Sequence, residues 1–325
     1  MVTLKEVHSK KDLKKFVKFP FKLYKDCKQW TPPIISEEID TFNKKDNPVF
    51  KDAEARIFLA YKNNEIVGRI VTIVNWVEVK EQKIKKMRFG WCDFIDELEV
   101  SQSLFDKVEE IGKSHSLEYV EGPVGFSNLD KVGVVTEGFD TIALMMTWYN
   151  HPYYAKHYKA ASYKIEKEYV ETKIPFTNID KDIFFKAQNL IKKRYKLRAL
   201  NFTKTIEVMP YVNEMFELFN QSYASLPSFV PISDEQIEYF KKKFISFINP
   251  EYIKFVVDSN NELIGFAIVM PSFAKALQKA KGKLFPFGFT HILRAKKYGK
   301  DAVFYLIGVR PDYQNKGVHA IIFNE

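Results

Sequence analysis

Apolar residues recur along this chain in two rhythms. Runs with alternate positions apolar predict strands, and stretches with apolar positions three and four apart predict helices. Residues 2–7 read as a strand. Ser9 then caps a helix expected over 9–26 and interrupted at Pro20. After a Pro-containing stretch at 29–40, the run 55–75 holds two apolar segments around Lys62-Asn63-Asn64-Glu65, a hairpin signal. Residues 85–95 predict the next strand. Leu104, Phe105, Val108 and Ile111 give a helix over 101–115 its buried face. A strand is expected at 117–124, then a short helix and a closing strand within 150–170.

The same order then returns. A linking helix at 181–195 leads to a strand at 196–202 and to amphipathic helices at 209–224 and 233–248, the second capped at Ser233. Residues 252–271 repeat the hairpin pattern with a polar turn at Asp258 to Asn261, and 302–309 predict a further strand. The segments FLAYKNNEIVGRIVTI and FVVDSNNELIGFAIVM match in length, turn position and the Gly after Val or Ile. A period this long implies duplicated domains rather than a solenoid. The expected fold class is α/β (α+β): two domains over 1–172 and 173–325, each a mixed, mostly antiparallel sheet flanked by helices.

Composition narrows the class. With 46% hydrophobic and 28% charged residues the chain is globular rather than disordered. No run approaches the roughly 20 apolar residues of a membrane span, and the N-terminal stretch lacks the apolar core of a signal peptide. Cys27 and Cys92 give neither a disulfide framework nor metal spacing, so a cytoplasmic location and no metal are expected. The net charge of +9 suits an anionic partner or plain solubility. There is no P-loop, G-x-S-x-G or H-E-x-x-H motif.

The strand at 302–309 runs into VRPDYQNKGVHA, a turn that opens a helix. Strand, helices, hairpin, strand, then V-x-P-x-x-Q-x-x-G before a helix resembles the GNAT superfamily of acyl-CoA N-acyltransferases, here as two tandem domains. Val309, Pro311, Gln314 and Gly317 carry the resemblance to its cofactor motif, Q/R-x-x-G-x-G/A. It implies that Gln314, Asn315, Lys316, Gly317, Val318 and His319 hold the phosphates of acetyl-CoA or another acyl-CoA. Backbone groups of Ile307, Gly308 and Val309 would pair with the pantetheine arm. Backbone N–H groups in a tight turn before a helix suit a pyrophosphate. His319 departs from the family's last small residue, which makes it either a structural ring or a phosphate contact.

The first half keeps the layout without that loop. Asp93, Asp96, Glu97 and Glu99 crowd the equivalent position and would repel a polyanion. They read either as a solvated acidic turn or, at Asp93 or Glu97, as a general base. Further on, Asn150, Tyr158, Ser162 and Tyr163 resemble the family's N-x-x-A-x-x-x-Y-x-x-x-G-F region. This implies Tyr158 as the acid that protonates the departing thiolate, with packing as the plain alternative. The loops at 121–128 and 133–140 read as pocket lips or structural turns. The resemblance implies further elements after the 319 helix, so the second domain is expected to be incomplete, with roughly 40–60 residues missing by ordinary element lengths.

Residues 272–301 form an insert in the second half that interleaves lysines with Leu and Phe. A substrate lid, a surface for anionic lipid and a structural cover all fit it. The expected activity is acyl transfer from acyl-CoA to a small-molecule or peptide amine. Two other classes stay open: a non-catalytic binding protein of this fold, and a tandem-domain aminoacyl-tRNA-dependent peptidyltransferase, which calls for nucleic acid; the insert loosely fits a nucleic-acid platform, but no RNA-binding motif supports one.

Overall fold

A computed structural model describes residues 1–226, 228–245 and 248–325. The chain divides into two compact units, Met1–Tyr169 with Phe273–Lys297, and Val170–Ser272 with Tyr298–Glu325. By chain position the insert lies in the second half; by its contacts it belongs to the first unit.

In the first unit, β1 (Thr3–Glu6), β2 (Ala53–Lys62), β3 (Glu65–Asn75), β4 (Lys86–Phe94) and β5 (Tyr119–Glu121) form one sheet in chain order. All neighbours are antiparallel except β4 and β5. The hairpin turn is Asn63-Asn64, both at positive φ, as a two-residue type I′ loop requires. Helix α1 (Lys10–Leu23) and helix α2 (Ile35–Thr41) precede β2. Helix α3 (Leu98–Ser114) follows β4 and α4 (Tyr154–Ala160) comes later. Phe16 and Val17 of α1 pack with Leu59, Val71 and Ile73 in one core cluster. Val100, Leu104, Phe105, Val108 and Ile111 of α3 pack with Ile70, Phe89 and Phe94 in another. Covered on both faces, β3 and β4 are almost wholly buried.

Two expectations are corrected. Helix α1 runs through Pro20 to Leu23. Proline has no N–H to offer the Phe16 carbonyl, and the Arg69 guanidinium takes that oxygen instead at 3.1 Å. No strand closes the first unit after α4. Residues 162–175 carry no regular element, and Ile165, Tyr169 and Val170 are exposed, so no apolar face drives them onto the sheet.

In the second unit, helix α5 (Lys181–Tyr195) is capped by the Asp180 carboxylate. Strands β6 (Arg198–Asn201), β7 (Ile253–Val257), β8 (Leu263–Pro271) and β9 (Ala302–Val309) form an antiparallel sheet in that order. Between β6 and β7 run α6 (Thr205–Val208), α7 (Val212–Tyr223) and α8 (Asp234–Phe240). A capping box at Ser233 opens α8. Its expected continuation is a wider turn over Lys241–Ile245, and Ser246 and Phe247 lie outside the described residues. The insert forms α9 (Ala274–Ala280) and α10 (Gly288–Tyr298), and α11 (His319–Asn324) follows β9. Helix α7 packs on β8 and β9, and α5 packs against α11.

The repeat holds at the level of single hydrogen bonds. Gly68 of β3 pairs with Phe94, and the next residue, Ile95, donates its N–H to Val67 O at 3.0 Å. Gly265 of β8 pairs with Val309, and the next residue, Arg310, donates to Ile264 O at 2.8 Å. A Cβ on Gly68 would meet Leu104 at 3.0 Å and Val100 at 3.1 Å; one on Gly265 would meet Val318 at 3.2 Å and Ile322 at 3.4 Å. Each hairpin thus carries a glycine where the helix after the next strand crosses closest.

Candidate functional site

The loop from β9 to α11 is the second unit's candidate site. Strand β9 is the edge of its sheet, and the Tyr223 hydroxyl from α7 donates to Ile307 O at 3.0 Å. Pro311–Tyr313 form one 3₁₀ turn. The N–H groups of Tyr313 and Gln314 return to Arg310 O, and that of Lys316 returns to Tyr313 O. Asn315 and Gly317 both have positive φ, 62° and 79°. Among the described residues, the backbone N–H groups of Asn315, Gly317, Val318 and His319 have no acceptor. Successive free donors with alternating backbone handedness make an anion-binding concavity.

The side chains around these donors are sorted by charge. Arg310 is committed to Asp312 and Glu262, at 2.7 and 2.9 Å. Its guanidinium holds the Asp312 carboxyl below the usual carboxylate range, and burial opposes this only in part. Lys316 has its ammonium over the Tyr313 and Tyr195 rings, 4.5 and 5.5 Å from their centroids. His319 is exposed, with its ring against Phe323. Gln314 donates to Val309 O at 3.3 Å and so closes the loop onto the strand end. Gly317 sits against Ile191 of α5, where a Cβ would approach to 3.1 Å.

The equivalent place in the first unit is built differently. Only Ile95, Asp96 and Glu97 separate β4 from α3, and their acids are spent internally. Glu97 and Glu99 pair with Lys62, at 2.5 and 3.2 Å. Asp96 accepts from His157 at 2.8 Å. Asp93 is buried and takes Arg69 at 2.7 Å and the Tyr24 hydroxyl at 2.6 Å. A general base needs a free lone pair facing a substrate, whereas these carboxylates are tied to cations and donors within the fold.

Tyr158 lies in the first unit and the Gln314–His319 loop in the second. Tyr158 is buried among Phe89, Phe94, Phe105 and Tyr163. Among the described residues its hydroxyl finds no oxygen or nitrogen partner, with only the Cys92 thiol beside it, and burial pushes its pKa well above that of a free phenol. Asn150 pins the 133–140 loop by a two-way exchange with the Val135 backbone, at 2.7 and 3.1 Å. Ser162 has φ 64°, the left-handed conformation that suits the glycine for which it stands.

The structure also assembles groups that sequence reading passed over. Glu78 pairs with Arg88 and with Lys86, all three nearly inaccessible to solvent, and Lys86 also reaches the half-buried Glu121. Arg88 further donates to Gly125 O at 3.1 Å, so this network clamps the 121–128 loop. The signal lay in the alternation of Lys86 and Arg88 with Met87 and Phe89, which puts both charges on one side of β4. Ser101, His157 and Asp96 form a chain of 2.7 and 2.8 Å contacts. Its serine is 1% exposed, so the chain ties α3 to α4 and offers no nucleophile.

No protein-family model matches this chain. It is 26% identical over 317 residues to Protein YghO of Escherichia coli (strain K12), covering 97% of this chain and 80% of that protein. It is 26% identical over 310 residues to a protein named bacterial ceramide synthase from Caulobacter vibrioides (strain NA1000 / CB15N), covering 93% and 79%. Among solved structures, a tandem GNAT protein from the clavulanic acid biosynthesis pathway superposes with a TM-score of 0.51 at 10% identity, over 99% of this chain and 83% of that one. The fold is therefore the tandem GNAT fold, as the motif order implied.

Proposed function

We propose that this chain is an N-acyltransferase that moves an acyl group from an acyl-CoA to an amine. The observation that carries the reading is the set of unpaired N–H groups at Asn315, Gly317, Val318 and His319, on a loop that leaves an edge strand. These donors would hold a pyrophosphate, with Lys316 adding charge and Gly317 letting the backbone approach. Backbone groups of Ile307 to Val309 would align the amide-bearing arm. Acyl-CoA supplies an acyl group already activated as a thioester. The chain's part is to position the amine and to polarise the carbonyl, which few side chains need to do.

A narrower acceptor class is supported by the likeness to the relative named bacterial ceramide synthase. A ceramide is the amide of a fatty acid with a long-chain amino alcohol. The proposed acceptor class is accordingly a long-chain amine, with a long acyl chain on the donor.

Thermal unfolding with acetyl-CoA and with a long-chain acyl-CoA tests the donor. Ligand at about 100-fold over Kd adds roughly 2.7 kcal/mol of stability. Lys316→Glu leaves the backbone intact and is expected to remove most of the shift, and Gly317→Asp all of it. Mass spectrometry of reactions with a long-chain amino alcohol then tests the acceptor. No shift with any acyl-CoA would overturn the reading of the loop.

A further inference from the structure

The insert Phe273–Lys297 has a clamped base and a bare tip. At the base, Gln278 donates to Lys28 O and Trp30 O at 2.7 and 3.0 Å, and Ile35 N–H donates to Gly282 O at 2.9 Å. A Cβ on Gly282 would press on Phe21 at 2.5 Å, so this part is seated tightly on the first unit. Beyond Gly282 the apolar side chains turn outward. Phe285 is 76% exposed, Phe287 74% and Leu293 54%, and Ile292 is the one buried residue of α10. Exposed basic residues flank and interleave with them: Lys279 and Lys281 just before Gly282, and Lys283 and Arg294 beyond it. No Asp or Glu occurs anywhere in residues 272–300.

We propose that this tip docks the protein on an anionic lipid bilayer. Closely spaced exposed phenylalanines are poorly solvated in water, and a structural cover would have buried them. Their basic neighbours choose among possible occupants. Protein interface cores deplete lysine. Segments lying at a bilayer surface combine Phe and Leu facing the acyl chains with Lys and Arg facing anionic headgroups. Lysine stems can also lie along the apolar surface while the ammonium stays in the headgroup layer. The insert itself has no carboxylate to repel an anionic surface.

The test is flotation of the full chain with vesicles of phosphatidylcholine alone and of phosphatidylcholine with phosphatidylglycerol, at low and high salt. Binding is expected only to the anionic vesicles and should weaken as salt rises. The pair Phe285→Ser, Phe287→Ser and the pair Lys279→Glu, Lys283→Glu should each lower partitioning about tenfold or more. The exposed pair Lys164→Glu, Lys173→Glu carries the same charge change elsewhere and should stay within about twofold if the patch, not net charge, governs binding. No vesicle binding, or equal losses in all three pairs, overturns the proposal. So does binding of a single-stranded oligonucleotide with none to vesicles, since aromatic and basic groups also stack and pair with nucleic acid. The readout contains no acyl-CoA, so it stands or falls apart from the proposed transferase activity.

Discussion

The Tyr158 hydroxyl is buried beside the Cys92 thiol, a weak sulfur partner, and makes no other hydrogen bond among the described residues. A buried hydroxyl without a strong partner costs stability, so Tyr158→Phe is expected to be neutral or to stabilise by about 1 kcal/mol in urea unfolding. Acyl transfer reduced about 100-fold at unchanged stability would instead assign the hydroxyl to proton transfer. Tyr24, Tyr154 and Tyr158 all have pKa values raised well above the free phenol, first by burial. Below about pH 10 a tyrosine is protonated folded or unfolded and adds no pH dependence. Above it the unfolded chain loses protons that the native core retains, so stability falls as pH rises. Melting temperatures between pH 8 and 11 should show this loss, and Tyr158→Phe should make it shallower.

At the scale of elements, the two hairpin glycines set how closely a helix approaches its sheet. Valine at either position must displace neighbours that already lie at contact distance. Gly68→Val and Gly265→Val are each expected to cost about 1–3 kcal/mol in urea unfolding. Gly68→Val should cost more, because its neighbours lie at 3.0 to 3.3 Å from the added Cβ, against 3.2 to 3.4 Å at Gly265. A neutral result at both sites would mean that the helices are not seated by these glycines. Pro20 shows the opposite device, in which a missing N–H leaves a carbonyl for Arg69. That bond helps to hold the Arg69–Asp93 pair between α1 and the sheet. Removing one partner of such a buried pair costs about 3–5 kcal/mol.

For the whole molecule, the first unit is discontinuous in sequence. A fragment cut at Tyr169 would lack α9, whose Gln278 holds the backbone of Lys28 and Trp30, and Gly282 after it, which sits on Phe21 and Ile35. Such a fragment is expected to melt below the first transition of the full chain. A peptide of residues 273–297 should restore part of the difference in trans. Equal melting with and without the peptide would show that the insert adds no stability to this unit.

Much of this was legible in the sequence because it rests on local rules. Alternation and turn chemistry marked both hairpins, the Ser9 and Ser233 caps marked helix starts, and the spacing of Leu104, Phe105, Val108 and Ile111 marked a buried face. The repeated Gly after Val67 and Ile264 revealed the duplication, since close helix crossing constrains a single position in each copy. The Gln314–Gly317 loop was likewise readable, because its backbone conformation is written in Asn315 and Gly317. Long-range pairing left no such local mark. That Pro20 sits inside a helix follows from Arg69, 49 positions away in sequence. The acids after β4 look like a free anionic turn until folding brings Lys62, Arg69 and His157 to them. The insert's place was decided in three dimensions too, because the surface its base covers is made of residues 21–35, more than 230 positions earlier in the chain.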